Sequence, residues 1–177
     1  RWSQYTLPGG ENYIEAVMRL PARLGEGQSS PDYAERMTAD AARNFRDPHF
    51  PEIQNPLGWF RANERITADG RRGFHVEEVQ LSALLKEYNT LRRAINKNEA
   101  TDAQRARLAE IEAMDIPFLH ESGANNLLFK RIIRYAAEQA FGGRGAEVIT
   151  WTRGQHQIER FNLAKHGDEL RLTPRET

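Results

Sequence analysis

The sequence predicts an α/β or α+β domain whose mixed sheet is flanked by helices, and three observations lead to this fold class. Runs rich in β-branched and aromatic residues at 57–66, 73–81 and 147–153 indicate strands. A long amphipathic helix, predicted over 124–141, separates the last two of these runs. Because a helical crossover between two strands of one sheet makes them parallel, we expect 73–81 and 147–153 to be parallel neighbours.

The N-terminal part of the chain predicts one strand, one helix and a β-hairpin. Apolar and polar residues alternate over 12–21, which favours a strand over a helix. A serine at the N-cap followed by proline at the first helical position predicts a helix over 30–45. The Asp69-Gly70 pair is typical of a turn, so 57–66 and 73–81 are expected to form the hairpin.

Residues 82–115 predict an antiparallel helical hairpin inserted into the domain. The apolar residues of 82–96 repeat every three or four positions, and Thr101 with Gln104 forms a capping box that begins a second helix. Because the apolar stripe is narrow, we expect the hairpin to face solvent and pack on itself. The alternative is an arm that binds a partner protein.

Size and composition favour one folded domain and exclude several chemistries. The 177 residues are 39% hydrophobic and 28% charged, so we expect a single folded domain, 1–177. Because the chain begins with Arg1, we expect this domain to be taken from a longer protein. Lys+Arg 25 balance Asp+Glu 25, which gives no strong nucleic-acid signal. No apolar run is long enough to cross a membrane. Because the chain contains no cysteine, it cannot form disulfides, use a thiol in catalysis or bind zinc through cysteine.

Polar residues follow the two predicted parallel strands, at the sheet edge where open α/β sheets bind ligands. Glu78 and Gln80 continue one face of 73–81, and they are the candidate catalytic residues. Gln155 and Arg160 belong to a final amphipathic helix that follows the last strand, and they are candidate ligand-binding residues.

Glu78 admits two interpretations. A lone carboxylate beside apolar surface can serve as a general base. It can equally form a structural ion pair with Arg61, a further ligand-binding candidate, or with Arg65 on the neighbouring strand. Strand alternation places Glu77 on the opposite face, so the two adjacent glutamates are not expected to share a site.

The remaining motifs are weak or absent. Ser122 and Gly123 belong to a small-residue loop, ESGAN at 121–125, that precedes a helix and is a candidate phosphate-binding loop. The same residue types also suit an ordinary helix cap. The five histidines show no metal-ligand spacing, and the HExxH, P-loop, GxSxG and GxGxxG patterns are absent. No metal is therefore expected, and the sequence identifies no cofactor.

Short motifs follow one another in a fixed order along most of the chain: SQYTLPGGENYIEAVMRLP, HF at 49–50, FRANERITADG, FHVEEVQ, IPF at 116–118, FKRIIRYAAEQ and VITWTRGQHQIERFNL. In this order they resemble a domain of the large polyvalent proteins of bacteriophages and other mobile elements. The resemblance spans nearly the whole chain except 82–115. Such proteins are long chains that are thought to enter the host with phage DNA and to carry many effector domains. The resemblance therefore implies an effector or accessory domain that works in the virion or the host cytoplasm.

This chain departs from that family at one point. After Glu-Glu-x-Gln the family tends to continue with Ser-Asp-x-His, whereas Leu81 and Leu85 stand where polar groups are expected. If those polar groups are catalytic, this copy is inactive or altered.

The order of strand, helix, strand and helix over 57–166 is also similar to that of the GNAT-type N-acetyltransferases. In that family a strand, a phosphate-holding loop and a helix bind the pantetheine and pyrophosphate of acetyl-CoA. HESGANN at 120–126 would be that loop here, although it lacks the Arg/Gln-x-x-Gly-x-Gly/Ala spacing.

Two classes of function stay open on the sequence. The first is a transferase-like enzyme that handles an acyl group or a nucleotide and is built around Glu78, Gln80 and Gln155. The second is a non-catalytic module of a phage protein whose helical hairpin, 82–115, binds a host or virion protein.

Overall fold

The computed structural model describes residues 6–20 and 45–152, and these form four strands and three helices. In chain order they are β1 (Glu11–Arg19), β2 (Pro56–Ile66), β3 (Arg72–Leu81), α1 (Ala83–Asn96), α2 (Asp102–Ala113), α3 (Glu121–Glu138) and β4 (Val148–Trp151). The helices predicted over 30–45 and after 153 fall almost entirely outside the described residues.

The strands form one mixed sheet in the order β1-β2-β3-β4. β2 pairs antiparallel with β1 and with β3, whereas β3 and β4 are parallel. The α/β class, the β2–β3 hairpin and the parallel pair joined through α3 are therefore confirmed. In the part of the chain that the structure describes, no helix is both long and apolar enough to span a bilayer.

One face of the sheet packs against α3. The helix buries one stripe of side chains, which consists of Ala124, Leu128, Ile132 and Ala136. The strands pack against it with apolar residues, namely Phe60, Ala62, Phe74 and Val76. Gly58 permits the close approach, because a Cβ there would lie 2.5 Å from the Gln80 carbonyl oxygen and 2.7 Å from Leu128 Cδ1.

The helices α1 and α2 lie where the hairpin is predicted, but they do not pack only on themselves. Their buried apolar residues belong to the same cluster as residues of β2, β3 and α3; the hairpin residues are Leu84, Leu85, Tyr88, Leu91, Leu108 and Ile111. The expectation of a solvent-facing hairpin is therefore wrong. The stripe of α1 is wider than predicted because Leu85, fully buried beside it, also enters the core.

Both helices of the hairpin begin with a defined cap. Thr101 Oγ1 accepts the Gln104 N–H at 3.2 Å, and Gln104 Oε1 accepts the Thr101 N–H at 2.9 Å, so the predicted capping box is confirmed. At α1, the N-cap residue Ser82 makes no side-chain cap hydrogen bond. Instead the buried carboxylate of Asp47 accepts the Ala83 N–H at 2.6 Å, which binds the 47–50 turn to the start of the helix.

Candidate functional site

A β-bulge in β3 decides where its two glutamates lie. The β2–β3 pairing passes from Arg61 opposite Glu78 directly to Ala62 opposite Val76, which leaves Glu77 as an extra residue. An extra residue reverses the alternation of faces along a strand. Glu77 and Glu78 consequently lie on the same face of the sheet, opposite to α3, and the expectation that they lie on opposite faces is wrong.

Glu77 is a fully buried carboxylate held by several donors. Its Oε1 accepts hydrogen bonds from the Leu7 N–H at 3.0 Å, from Asn63 Nδ2 at 2.8 Å and from Arg65 at 3.2 Å. Its Oε2 accepts the Thr152 hydroxyl at 3.4 Å. Since a buried charge is tolerated only when it is paired and hydrogen-bonded, these donors explain how the carboxylate is accommodated.

His75 links this carboxylate to β4. Its Nδ1 lies 2.8 Å from Thr150 Oγ1, and its Nε2 lies 3.2 Å from Thr152 Oγ1 and 4.0 Å from Glu77 Oε1. The parallel pairing sets this geometry, because His75 is directly opposite Thr150. An imidazole between two hydroxyls and beside a carboxylate is an arrangement able to relay a proton.

Glu78 forms the second polar cluster on this face. Its carboxylate pairs with Arg61 and accepts a hydrogen bond from the Gln80 amide, and Gln80 Oε1 accepts Lys86 Nζ at 2.7 Å. The ion pair with Arg61 is thus present, as the structural interpretation of Glu78 predicts. Nearby, burial and then the Glu15 carboxylate, which accepts the Tyr13 hydroxyl at 2.6 Å, raise the pKa of Tyr13 well above its usual range.

A cleft lies beside the point where the described pairing of β3 with β4 ends. Val76 and Trp151 form the last residue pair between them, and β3 continues to Leu81 without a β4 partner among the described residues. The cleft has a volume of about 640 Å³ and is lined mainly by apolar side chains of β3, β4 and α3, together with Glu77 and Glu78. The apolar lining comprises Val76, Val79, Phe129, Ile132, Ile133, Ile149 and Trp151.

The structure brings together some of the predicted site residues and not others. Glu78 contacts both Arg61 and Gln80, as described above. Ser122 and Gly123 lie in the first turn of α3 and are not among the residues that line the cleft. Gln155 and Arg160 lie outside the described residues.

The N-terminus of α3 is already occupied by groups of the protein itself. The Glu121 N–H donates to Asn89 Oδ1 at 3.0 Å, and the Ala124 N–H donates to the His120 carbonyl at 3.1 Å. The Glu121 carboxylate, paired with Arg93, adds negative charge in the first turn. This arrangement favours an ordinary helix cap over a phosphate site at Ser122 and Gly123.

Sequence reasoning missed His75 and Glu77 as members of the site. The two-residue period assigned them to the face opposite Glu78, and only the bulge brings the three together. Among residues 6–20 and 45–152, no group of three or more His, Asp or Glu is arranged to hold a metal ion.

Comparison with protein-family models, with curated proteins and with solved structures gives no match to this chain. Its function is therefore argued from the geometry of the cleft and of the two carboxylate clusters.

Proposed function

We propose that this chain is a transferase-like effector domain of a larger phage or mobile-element protein, and that it binds an acyl thioester in the β3–β4 cleft. One observation carries the proposal: an apolar cleft lies where the described pairing of β3 with β4 ends, beside a bulge that contains two glutamates. The similarity of the sequence order to that of the GNAT-type N-acetyltransferases, which bind acetyl-CoA, also supports the proposal.

The part of β3 beyond its described pairing with β4 suits the pantetheine arm of such a donor. Over residues 77–81, β3 has no β4 partner among the described residues, so an extended ligand that carries amide groups can hydrogen-bond there as an added strand would. The methylene groups of the arm and the acyl group would contact the apolar walls formed by Val79, Ile133 and Trp151.

The reaction proposed for the site is acyl transfer to an amine. The amine nitrogen attacks the thioester carbonyl, the C–N bond forms, the C–S bond breaks, and the thiolate leaves and takes up a proton. A base must accept the proton that the amine loses, and a carboxylate can serve as that base. Glu78 is the candidate for this role because the residue borders the cleft and its side chain is 19% exposed on the sheet face opposite to α3, whereas the side chain of Glu77 is fully buried.

A binding measurement tests the proposed donor. Coenzyme A and acetyl-CoA are titrated into the protein, with intrinsic tryptophan fluorescence and isothermal calorimetry as readouts. Ile133→Asp, at a residue 57% exposed in the cleft, should weaken binding by about tenfold or more, because a carboxylate would replace an apolar contact. The matched control is Ile66→Asp, at a residue 65% exposed and outside the cleft, which should leave binding unchanged. Absence of binding to the wild-type protein would refute the proposal.

A second measurement tests the role of Glu78. The chain contains no cysteine, so a thiol reagent reports only the coenzyme A released during turnover. With lysine-containing peptides as acceptors, Glu78→Gln should abolish thiol release and leave the affinity for acetyl-CoA within about threefold, since the amide keeps the shape but accepts no proton. Full activity of this variant would exclude Glu78 as the base.

The alternative is a non-catalytic protein-interaction module, and one observation favours it. Phe129, Ile133 and Trp151 are exposed apolar side chains on one cleft, and such patches often bind proteins. The α1–α2 hairpin is a weaker candidate for this role than the sequence predicts, because its apolar stripe is buried in the core. An interaction module predicts that coenzyme A has no effect on the melting temperature.

A further inference from the structure

The side of α3 that faces β1 borders a second groove, and its rim is basic. Lys130, Arg131 and Arg134 lie on this side of the helix, and Arg19 lies at the end of β1. The groove has a volume of about 570 Å³. It is separate from the β3–β4 cleft, because the buried stripe of α3 lies between them.

Four cations on one groove are a local asymmetry in a chain whose charges balance overall. Arg134 pairs with Glu138 at 2.9 Å. For Lys130, Arg131 and Arg19, the described residues supply no carboxylate within salt-bridge distance. Neighbouring like charges repel each other, so this arrangement destabilises the free protein slightly and favours an anionic ligand.

The surface between these cations is apolar. Ala16 and Met18 of β1 and Leu127 of α3 line the groove, together with the edge of the buried Phe60 ring. β1 is also the edge strand of the described sheet, and none of its nine residues is fully buried. An exposed edge strand beside a groove is a surface to which an extended chain can add.

We propose that this groove binds an extended acidic peptide segment of a partner protein. Its carboxylates would pair with Lys130 and Arg131, and its apolar side chains would contact Met18 and Leu127. The apolar surface and the balanced net charge favour a peptide over a nucleic acid, because phosphate binding draws on a basic surface and single strands also stack on aromatic groups.

Fluorescence anisotropy with three labelled probes of equal length tests this proposal. The probes are a peptide of alternating Glu and Val, a peptide of alternating Lys and Val, and a single-stranded DNA oligonucleotide. The Glu–Val peptide should bind, and the Lys–Val peptide should not. Lys130→Glu combined with Arg131→Glu should weaken binding of the Glu–Val peptide by about tenfold or more, because two attractive contacts become repulsive.

The matched control reverses two exposed cations on the hairpin. Lys97→Glu combined with Arg105→Glu changes the net charge by the same amount, away from the groove, and should alter affinity by less than about twofold. A neutral pair, Lys130→Gln with Arg131→Gln, gives an intermediate loss and serves if the reversed pair fails to fold. Saturation with acetyl-CoA should leave peptide binding unchanged, so the result does not depend on the proposed acyl transfer.

Three outcomes would overturn the proposal. The first is that the wild-type protein does not bind the Glu–Val peptide. The second is an equal loss of affinity in the hairpin control, which would show that only overall charge matters. The third is tighter binding of the oligonucleotide that is lost with Lys130 and Arg131 reversed, because the groove would then recognise phosphates.

Discussion

Replacing Glu77 by glutamine should destabilise the protein by about 3 kcal/mol, and the hydrogen bonds explain the size of the effect. Three donors reach Oε1, from Leu7, Asn63 and Arg65. A hydrogen bond to a charged acceptor contributes about 1.5–3 kcal/mol and a neutral one about 0.5–1.5, so each of the three weakens by about 1 kcal/mol. The loss of stability is not larger, because the Arg65 guanidinium still has hydrogen-bond acceptors in the variant. These are the Leu7 and Pro8 carbonyl oxygens and Asn63 Oδ1.

Urea denaturation followed by circular dichroism at neutral pH measures this difference, and a thermal melt should show a decrease of about 6–12 °C for a chain of this size. Glu110→Gln is the matched control: its carboxylate is exposed and pairs with Arg107 within α2, so it should cost less than about 0.5 kcal/mol. A change below about 1 kcal/mol for Glu77→Gln would contradict the reasoning, because the buried carboxylate would then contribute no more than an amide.

Three further perturbations test other parts of the structure. Burial raises the pKa of Tyr13, so its phenol stays protonated in the folded protein at a pH at which it ionises in the unfolded chain. The stability of the protein should therefore fall as the pH rises past about 10. Thermal melts at increasing pH measure this decrease, which should be smaller in Tyr13→Phe. If α1 belongs to the core, Leu85→Ala should lower the free energy of unfolding by about 3 kcal/mol, as measured by urea denaturation. The control Leu127→Ala, at a partly exposed residue, should lower it by less than about 1.5 kcal/mol. The hydrogen bond from Arg107 lowers the pKa of Glu87. This exposed pair should therefore contribute less than about 1 kcal/mol to stability above about pH 4.3 and lose that contribution on acidification. A double-mutant cycle at two pH values measures the contribution.

Local patterns in the sequence predict the elements of this fold because each element depends on nearby residues. The alternation over 12–21 predicts β1, and the Thr101–Gln104 capping box marks the start of α2. The parallel pairing of β3 with β4 was predictable as well, since a helix that connects two strands of one sheet leaves them parallel.

Features that depend on tertiary pairing were not predictable in the same way. A bulge is defined by the register between two strands, and nothing in FHVEEVQ shows which residue will be left without an opposite neighbour. One extra residue was enough to move Glu78 onto the face of Glu77. The burial of the hairpin depends similarly on where β3 ends, because α1 begins directly after it and places Leu85 against the core.

The bulge and the cleft lie at the same point of the sheet. Val76, the last residue of β3 that pairs with β4 among the described residues, directly precedes the extra residue Glu77. A bulge reverses the alternation of faces along its strand, so the two glutamates come onto one face at the position where the described β3–β4 pairing ends. The hydrogen bond from Thr152 to Glu77 connects the end of β4 to the bulge, so the polar cluster stabilises the sheet beside the cleft.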